Sequence, residues 1–315
     1  MKILVAGTGG VGGYFGARLL QGGHDVWFMA RGENLRALRD RGLKLKSANG
    51  DASFEAVNAV ERGEEAGRCD AVLFCVKTYD NDAAAAGVAG VVGEGTVLCS
   101  LQNGVDNESF LGHRFPQATV IGGVTRIEAY LEESGVIRHP SPMADVQLGP
   151  FRPQDRSAAD GLASAFRDGG VPVEVTADVH RALWEKLLII AGIGGVTAYR
   201  GCTVGTIRED RALLSMTSRA MEETASVAVA RGIAIIRGLP EIVLQHVKTT
   251  LPDEAKSSMC RDALAGKPLE VEAINGAVVR YGRDAGVQTP VNRDILDTLL
   301  PLHRAALEAR AAQQG

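Results

Sequence analysis

Apolar residues in the first half of the chain fall into short unbroken runs, separated by segments with helical spacing. Lys2-Ile3-Leu4-Val5-Ala6 is such a run, stopped by Gly7, and it reads as a strand buried on both faces. Tyr14, Phe15, Ala17, Leu19 and Leu20 then keep a helical period until Gly22-Gly23 ends it. Asp25–Ala30 predicts a second strand, Glu33–Arg41 a helix closed by Gly42, and Asn49-Gly50 a hairpin turn between Leu43–Lys46 and Ser53–Val57. Ala71–Val76 and Thr96–Leu101 are further buried strands around an alanine-rich helix at Asp82–Val92. A strand at Val120–Val124, a strand pair around Gly135–Ile137 and Val146–Leu148, a helix at Ala158–Phe166 and a strand at Val171–Val175 complete the half. Strands alternating with helices in this way predict a doubly wound α/β domain.

From Val179 the period changes. Leu183 with Leu187, and Leu239 with Ile242, Val243 and Val247, recur at helical spacing, and Pro240, Pro252, Pro268, Pro290 and Pro301 punctuate the segments. The expected architecture is an N-terminal Rossmann-like dinucleotide-binding domain over residues 1–177 and an all-α C-terminal domain over 178–315, with the tail Ala305–Gly315 frayed into solvent.

The first strand runs into Gly7-Thr8-Gly9-Gly10-Val11-Gly12, a GxGxxG in the strand–turn–helix setting that gives this motif meaning. Gly7 permits the tight turn, Gly9 lets backbone approach a pyrophosphate, and Gly12 lets helix pack on strand. The helix then offers free N–H groups and the positive end of its dipole to phosphate. The loop residues Gly7 to Gly12 are therefore candidate cofactor ligands. The second strand ends at Arg31, where an NAD enzyme usually has Asp or Glu for the ribose hydroxyls. A guanidinium can pair with a ribose 2′-phosphate that a carboxylate would repel, so the expected cofactor is NADPH/NADP.

Composition narrows the function classes. At 315 residues and 45% hydrophobic content, two cores are within reach. A net charge of −4 with no basic stripe argues against nucleic acid as partner. The longest apolar stretch, Leu187–Val196, is too short to span a bilayer, and no signal-like segment precedes the first strand. Five cysteines without paired spacing predict neither a metal site nor a disulfide framework; a cytoplasmic protein is expected, with Cys75 and Cys99 as small buried hydrophobes. The apolar helices would allow a homodimer or a monomer.

In an open α/β sheet, ligands bind beyond the carboxyl ends of the strands. Lys77 and Gln102-Asn103 lie at two such ends, though a strand terminus and plain turn chemistry account for them equally on spacing alone. In the helical half, Lys186 sits within apolar Trp184–Leu188, Ser258 follows the Pro252 loop, and Glu270 precedes Ile274-Asn275-Gly276. A snorkelling lysine and a capping carboxylate are the plainer readings of these.

Taken in order, Gly7-x-Gly9-x-x-Gly12 with Arg31, Val76-Lys77, Leu101-Gln102-Asn103-Gly104, Trp184-x-Lys186-Leu187, Ser257-Ser258-Met259, and Glu270 before Ile274-Asn275-Gly276 resemble the ketopantoate reductase (2-dehydropantoate 2-reductase) family. The resemblance runs from the glycine loop almost to the end of the chain. It implies NADPH-dependent reduction of a small-molecule 2-oxo acid to a 2-hydroxy acid, with ketopantoate, in pantothenate and coenzyme A biosynthesis, as the leading substrate. It also implies roles: Lys186 as general acid, Glu270 as a carboxylate that contacts substrate and cofactor and orients the lysine, and Ser258 as a substrate carboxylate contact. Asn103 would bridge nicotinamide and substrate, and Lys77 would be a second cation at that junction. Alternatives are action on another 2-oxo acid, a 3-hydroxyacid or polyol-phosphate dehydrogenase sharing the glycine loop, and an NADPH-sensing protein without catalysis.

The chain departs from the family pattern where asparagines are typical, carrying Ile190, Gly194-Gly195 and Ala255 instead. On a regular helix Lys186, Ile190 and Gly194 share one face. That face predicts a wider, less polar substrate pocket.

Overall fold

The structure, a computed structural model, describes residues 1–314. Contacts divide the chain into two units, one formed by Met1–Gln102 with Asn107–Val179, the other by Asn103–Asp106 with the chain from His180 onward.

In the first unit, β1 (Lys2–Ala6), α1 (Gly10–Gln21), β2 (Asp25–Met29), α2 (Gly32–Arg41), β3 (Leu43–Ser47), β4 (Ala52–Phe54), β5 (Asn58–Val60), β6 (Ala71–Phe74), α3 (Asn81–Val88) and β7 (Val97–Ser100) come first. They are followed by α4 (Asn107–Arg114), β8 (Thr119–Ile127), β9 (Tyr130–Glu133), β10 (Val136–His139), β11 (Ala144–Pro150), α5 (Arg156–Asp168) and β12 (Val173–Val175). The main sheet has the order β12-β11-β8-β7-β6-β1-β2-β5. All of its neighbours are parallel except β8 and β11. β1 shows why its run is unbroken: Ile3 and Val5 belong to the core on one face, Leu4 and Ala6 to the core on the other, all fully buried. Burying one such side chain stabilises the fold by about 1.5–3 kcal/mol. The registers Ala6↔Met29, Ala6↔Phe74 and Phe74↔Ser100 align the carboxyl ends of β2, β1, β6 and β7. The chain order reverses at β1, between β2 and β6, and such a reversal opens a crevice for ligands.

One expectation changes here, one is refined, and one strand was not foreseen. The Asn49-Gly50 hairpin is present as β3 and β4, but it belongs to a separate four-stranded sheet, β4-β3-β10-β9. Arg18, buried on α1, anchors that hairpin by donating to Ser47 Oγ (3.1 Å) and the carbonyls of Asn49 (3.1 Å) and Gly50 (2.9 Å). The segments around Val136 and Val146 are strands of different sheets and do not pair with each other. β5, a three-residue edge strand beside β2, has too short a run to announce itself.

The second unit holds α6 (Val179–Ile189), a π-helical turn (Ile190–Gly194), α7 (Gly195–Arg200), α8 (Val204–Glu209), α9 (Arg211–Ala230), α10 (Leu239–Thr249), α11 (Ser258–Leu264), α12 (Asn275–Asp284) and α13 (Pro290–Gln314). No strand occurs among its described residues, and Trp184, Leu187, Ile207, Val247, Ile274 and Ile295 are among the residues of its core. Pro301 lies inside α13 rather than at a break. The tail expected to fray continues that helix to Gln314, and Gly315 lies outside the described residues. The apolar stretch at Leu187 is longer than the sequence suggests, because the π-turn joins α6 to α7 without a break. Val179–Arg200 gives 22 helical residues, enough by length and composition to cross a membrane, but 67% of its apolar window is buried within the protein, as in a core helix.

Candidate active site

The glycine loop is held from both ends. Gly7 adopts φ +102°, and a side chain there would come within 2.7 Å of Val76 Cγ1. A Cβ on Gly12 would run into the Gly7 carbonyl, which is the close packing expected of that position. The amides of Gly7 and Thr8 both donate to the Met29 carbonyl (3.3 and 3.2 Å), and Thr8 Oγ1 does so as well (3.1 Å). Thr8 thus has its donors engaged in tying the loop to the end of β2. The first intrahelical bond of α1 runs from the Gly13 amide to the Gly9 carbonyl (2.8 Å), and Gly9 gives no side-chain cap. The amides of Gly10, Val11 and Gly12 precede that bond, and a Cβ on exposed Gly9 would meet nothing within 4 Å. This is a cradle that fits a pyrophosphate.

Arg31 is exposed at the N-cap position of α2. Three residues on, Asn34 donates to the Thr8 carbonyl (2.8 Å) and accepts from the Gly135 amide (2.9 Å). It therefore links the start of the Arg31 helix to the glycine loop, a role that no spacing rule reveals. Lys77 is half-buried just past β6, at the N-cap of the 3₁₀ turn Thr78–Asp80. Gln102, buried past β7, donates to the Val76 carbonyl (2.9 Å) and Asn81 Oδ1 (2.6 Å), fixing the two strand ends to each other.

In the helical unit, Lys186 is half-buried in the last turn of α6, beside buried Trp184 and Leu187. Neighbouring Glu185 accepts from Arg181 Nε (2.7 Å) and the Ile236 amide (2.8 Å), so it serves packing. Glu270 is 5% exposed and accepts the Asn103 amide at 3.3 Å. The segment Asn103–Asp106 counts with this unit because Asp106 pairs with Arg280 (2.6 Å) and accepts from the Tyr281 hydroxyl. The Arg231 guanidinium lies 3.9 Å over the Tyr281 ring. Burial, with the Asp106 hydrogen bond and charge, pushes the Tyr281 phenol up to about 12, so it stays a donor to Asp106 at neutral pH. Ser258 opens α11 with an exposed side chain, while Ser257 caps that helix by accepting from Cys260 N (3.0 Å). Ser257 Oγ also meets Thr197 Oγ1 (2.8 Å) and the Gly194 carbonyl (3.3 Å).

The regular helix assumed for Lys186, Ile190 and Gly194 is not what forms. The π-turn at Ile190–Gly194 places an additional residue in that turn. Ile190 and Gly194 stay adjacent nonetheless: a Cβ on Gly194 would lie 3.8 Å from the Cβ atoms of Ile190 and Ser257, with nothing nearer.

Comparisons with known proteins show what the whole chain is similar to. The ketopantoate reductase PanE/ApbA family model matches residues 3–153, and the model for the C-terminal part of that family matches residues 178–302. A 2-dehydropantoate 2-reductase of Halobacterium salinarum is 32% identical over 94% of this chain and 97% of its own length. One from Archaeoglobus fulgidus is 30% identical over 94% and 96%. The crystal structure of 2-dehydropantoate 2-reductase from Geobacter metallireducens superposes with a TM-score of 0.89 at 32% identity, covering 96% of this chain and 99% of that one. D-mandelate dehydrogenase, in a ternary structure with NADH and anilino(oxo)acetate, shares the fold (TM-score 0.88, 21% identity, 97% and 99% coverage).

Proposed function

The chain belongs to the ketopantoate reductase PanE/ApbA family, and from that premise we propose that it reduces a 2-oxo acid to the 2-hydroxy acid with NADPH, ketopantoate being the leading substrate. As a member it is a dinucleotide-dependent oxidoreductase. The observation that carries the finer reading is the contact between Asn103 and buried Glu270. These residues stand 167 positions apart, and the resemblance independently assigns both to the reacting centre. In this reading the first unit binds the dinucleotide and the second carries the proton donor.

When bound, NADPH supplies the hydride that adds to the carbonyl carbon. The C=O π electrons move to oxygen, where negative charge grows. Lys186, protonated, polarises that oxygen and transfers its proton to it, giving the hydroxyl; the amine then regains a proton from solvent. Asn103 holds Glu270; Glu270 would orient the reacting group and the lysine, Asn103 would also meet the nicotinamide side, and Ser258 and Lys77 would take the substrate carboxylate and the cofactor–substrate junction. The amides of Gly10, Val11 and Gly12 would hold the pyrophosphate, and Arg31 would hold the 2′-phosphate.

The oxo acid is the finer question. Ile190, Gly194 and Ala255 leave a substrate hydroxyl fewer polar partners, and a buried hydroxyl left unpaired costs about 1–3 kcal/mol. An apolar branched side chain avoids that cost and gains about 0.8 kcal/mol per buried methylene. In a panel of 2-oxo acids assayed by NADPH oxidation, a branched apolar acid is expected to reach a kcat/KM at least comparable with that of ketopantoate. Ile190→Asn with Gly194→Asn is expected to shift preference back toward ketopantoate. A preference for ketopantoate of several orders of magnitude in the unmodified protein removes the pocket argument. No turnover of any 2-oxo acid removes the reductase reading.

A further inference from the structure

The π-turn between α6 and α7 is held from outside by a buried chain of polar groups. Within the turn the Gly195 amide reaches back five residues to the Ile190 carbonyl, as a π-turn requires. The Ala191 carbonyl in the same turn accepts the side-chain amide of Asn275 at 3.1 Å. Asn275 opens α12 and is fully buried. Its Nδ2 also donates to Asn292 Oδ1 (2.9 Å), while Asn292 Nδ2 donates to the Ala220 carbonyl (3.0 Å) and Glu223 Oε2 (2.8 Å). The Glu223 carboxylate further accepts the amides of Val291 (2.9 Å) and Asn292 (3.0 Å) at the start of α13. A carboxylate cannot donate, so the direction of the chain is forced. Glu223 orients Asn292, Asn292 orients Asn275, and Asn275 must present its N–H groups to Ala191.

Two features set Asn275 apart from ordinary packing. Its Oδ1 is buried without a hydrogen-bond partner, which costs stability, so the side chain is kept for its donors. Gly195 makes room for it, since a Cβ there would lie 2.8 Å from Nδ2. The extra residue of the π-turn swings the following helix by roughly 100°, the step of one helical residue. Before the turn lies Lys186. After it lies Thr197, which holds Ser257, the neighbour of Ser258.

We propose that Asn275 is a positioning residue for the reduction: through the Ala191 carbonyl it fixes the π-turn, and so the placement of Lys186 relative to Ser257 and Ser258. This rests on Lys186 acting as proton donor. Misplacing a reacting group by about 1 Å can lower turnover by up to about a hundredfold, and Asn275 is remote in sequence from the glycine loop that is to hold the cofactor. Asn275→Leu, the pair Asn275→Leu with Asn292→Leu, and Gly195→Ala all disturb the Asn275–Ala191 contact by different routes. The last crowds the amide while alanine favours the helix, so misfolding of one variant leaves the others to decide. Each folded variant is expected to lose about tenfold in kcat, to keep the NADPH Kd within about twofold, and to show a larger isotope effect with deuterated NADPH, as the chemical step becomes rate-limiting. Wild-type kcat and an unchanged isotope effect in any folded variant overturn the proposal. Native turnover by Lys186→Ala instead overturns the reading beneath it.

Discussion

Replacing Lys186 by alanine should lower kcat by on the order of 10²–10⁴ while leaving NADPH affinity nearly intact. That factor corresponds to about 3–5 kcal/mol of transition-state stabilisation, more than a half-buried lysine contributes by packing its stem. The lysine lies in the last turn of α6, in the helical unit, while the glycine loop and Arg31 belong to the α/β unit, so cofactor affinity and proton transfer should separate cleanly. Arginine at this position should restore little, because a guanidinium carries the charge but holds its proton too tightly to donate it. Steady-state kinetics beside a fluorescence titration of NADPH measures both quantities. Loss of NADPH binding with turnover unchanged at saturation would place the lysine outside the proton-transfer step.

Arg31→Asp should weaken NADPH ten- to hundredfold and NADH by much less. A charge-assisted pair between guanidinium and 2′-phosphate contributes about 1.5–3 kcal/mol, and each 1.4 kcal/mol is a factor of ten. The substituted carboxylate would repel the phosphate as well, yet it could accept from the ribose hydroxyls of NADH. Because Arg31 is exposed, the discrimination should shrink as salt rises, which calorimetry at two ionic strengths detects. Equal effects on the two cofactors would detach Arg31 from the 2′-phosphate.

Both experiments act on residues visible in the chain before any coordinates. Strands buried on both faces have a plain signature, so Lys2–Ala6, Ala71–Phe74 and Val97–Ser100 could be read directly, and with them the positions just past their ends. Gly7 and Gly12 were legible for a similar reason: backbone held close to neighbouring backbone and side chains leaves no room for a Cβ, and glycine satisfies that at this spacing. Lys186 and Glu270 were different. Periodicity made them a lysine on an apolar helix and an unremarkable carboxylate, and only their order among the other motifs raised them above that.

Tertiary structure decided what depends on partners distant in sequence. β10 and β11 look alike as apolar runs, and only pairing sends one to the small sheet and the other to the large one. Asn34 gains its part from the carbonyl of Thr8 and the amide of Gly135, and Asn103 meets Glu270 in a segment whose Asp106 is gripped by Arg280 and Tyr281. Helical period describes a regular helix and so does not reveal the π-turn after Lys186, in which the Ala191 carbonyl finds its partner in Asn275, more than eighty positions away. Local pattern determines which residues are buried and where backbone must come close. Which polar groups then meet is settled only when the chain has packed, because a hydrogen bond between distant residues leaves no period in the sequence.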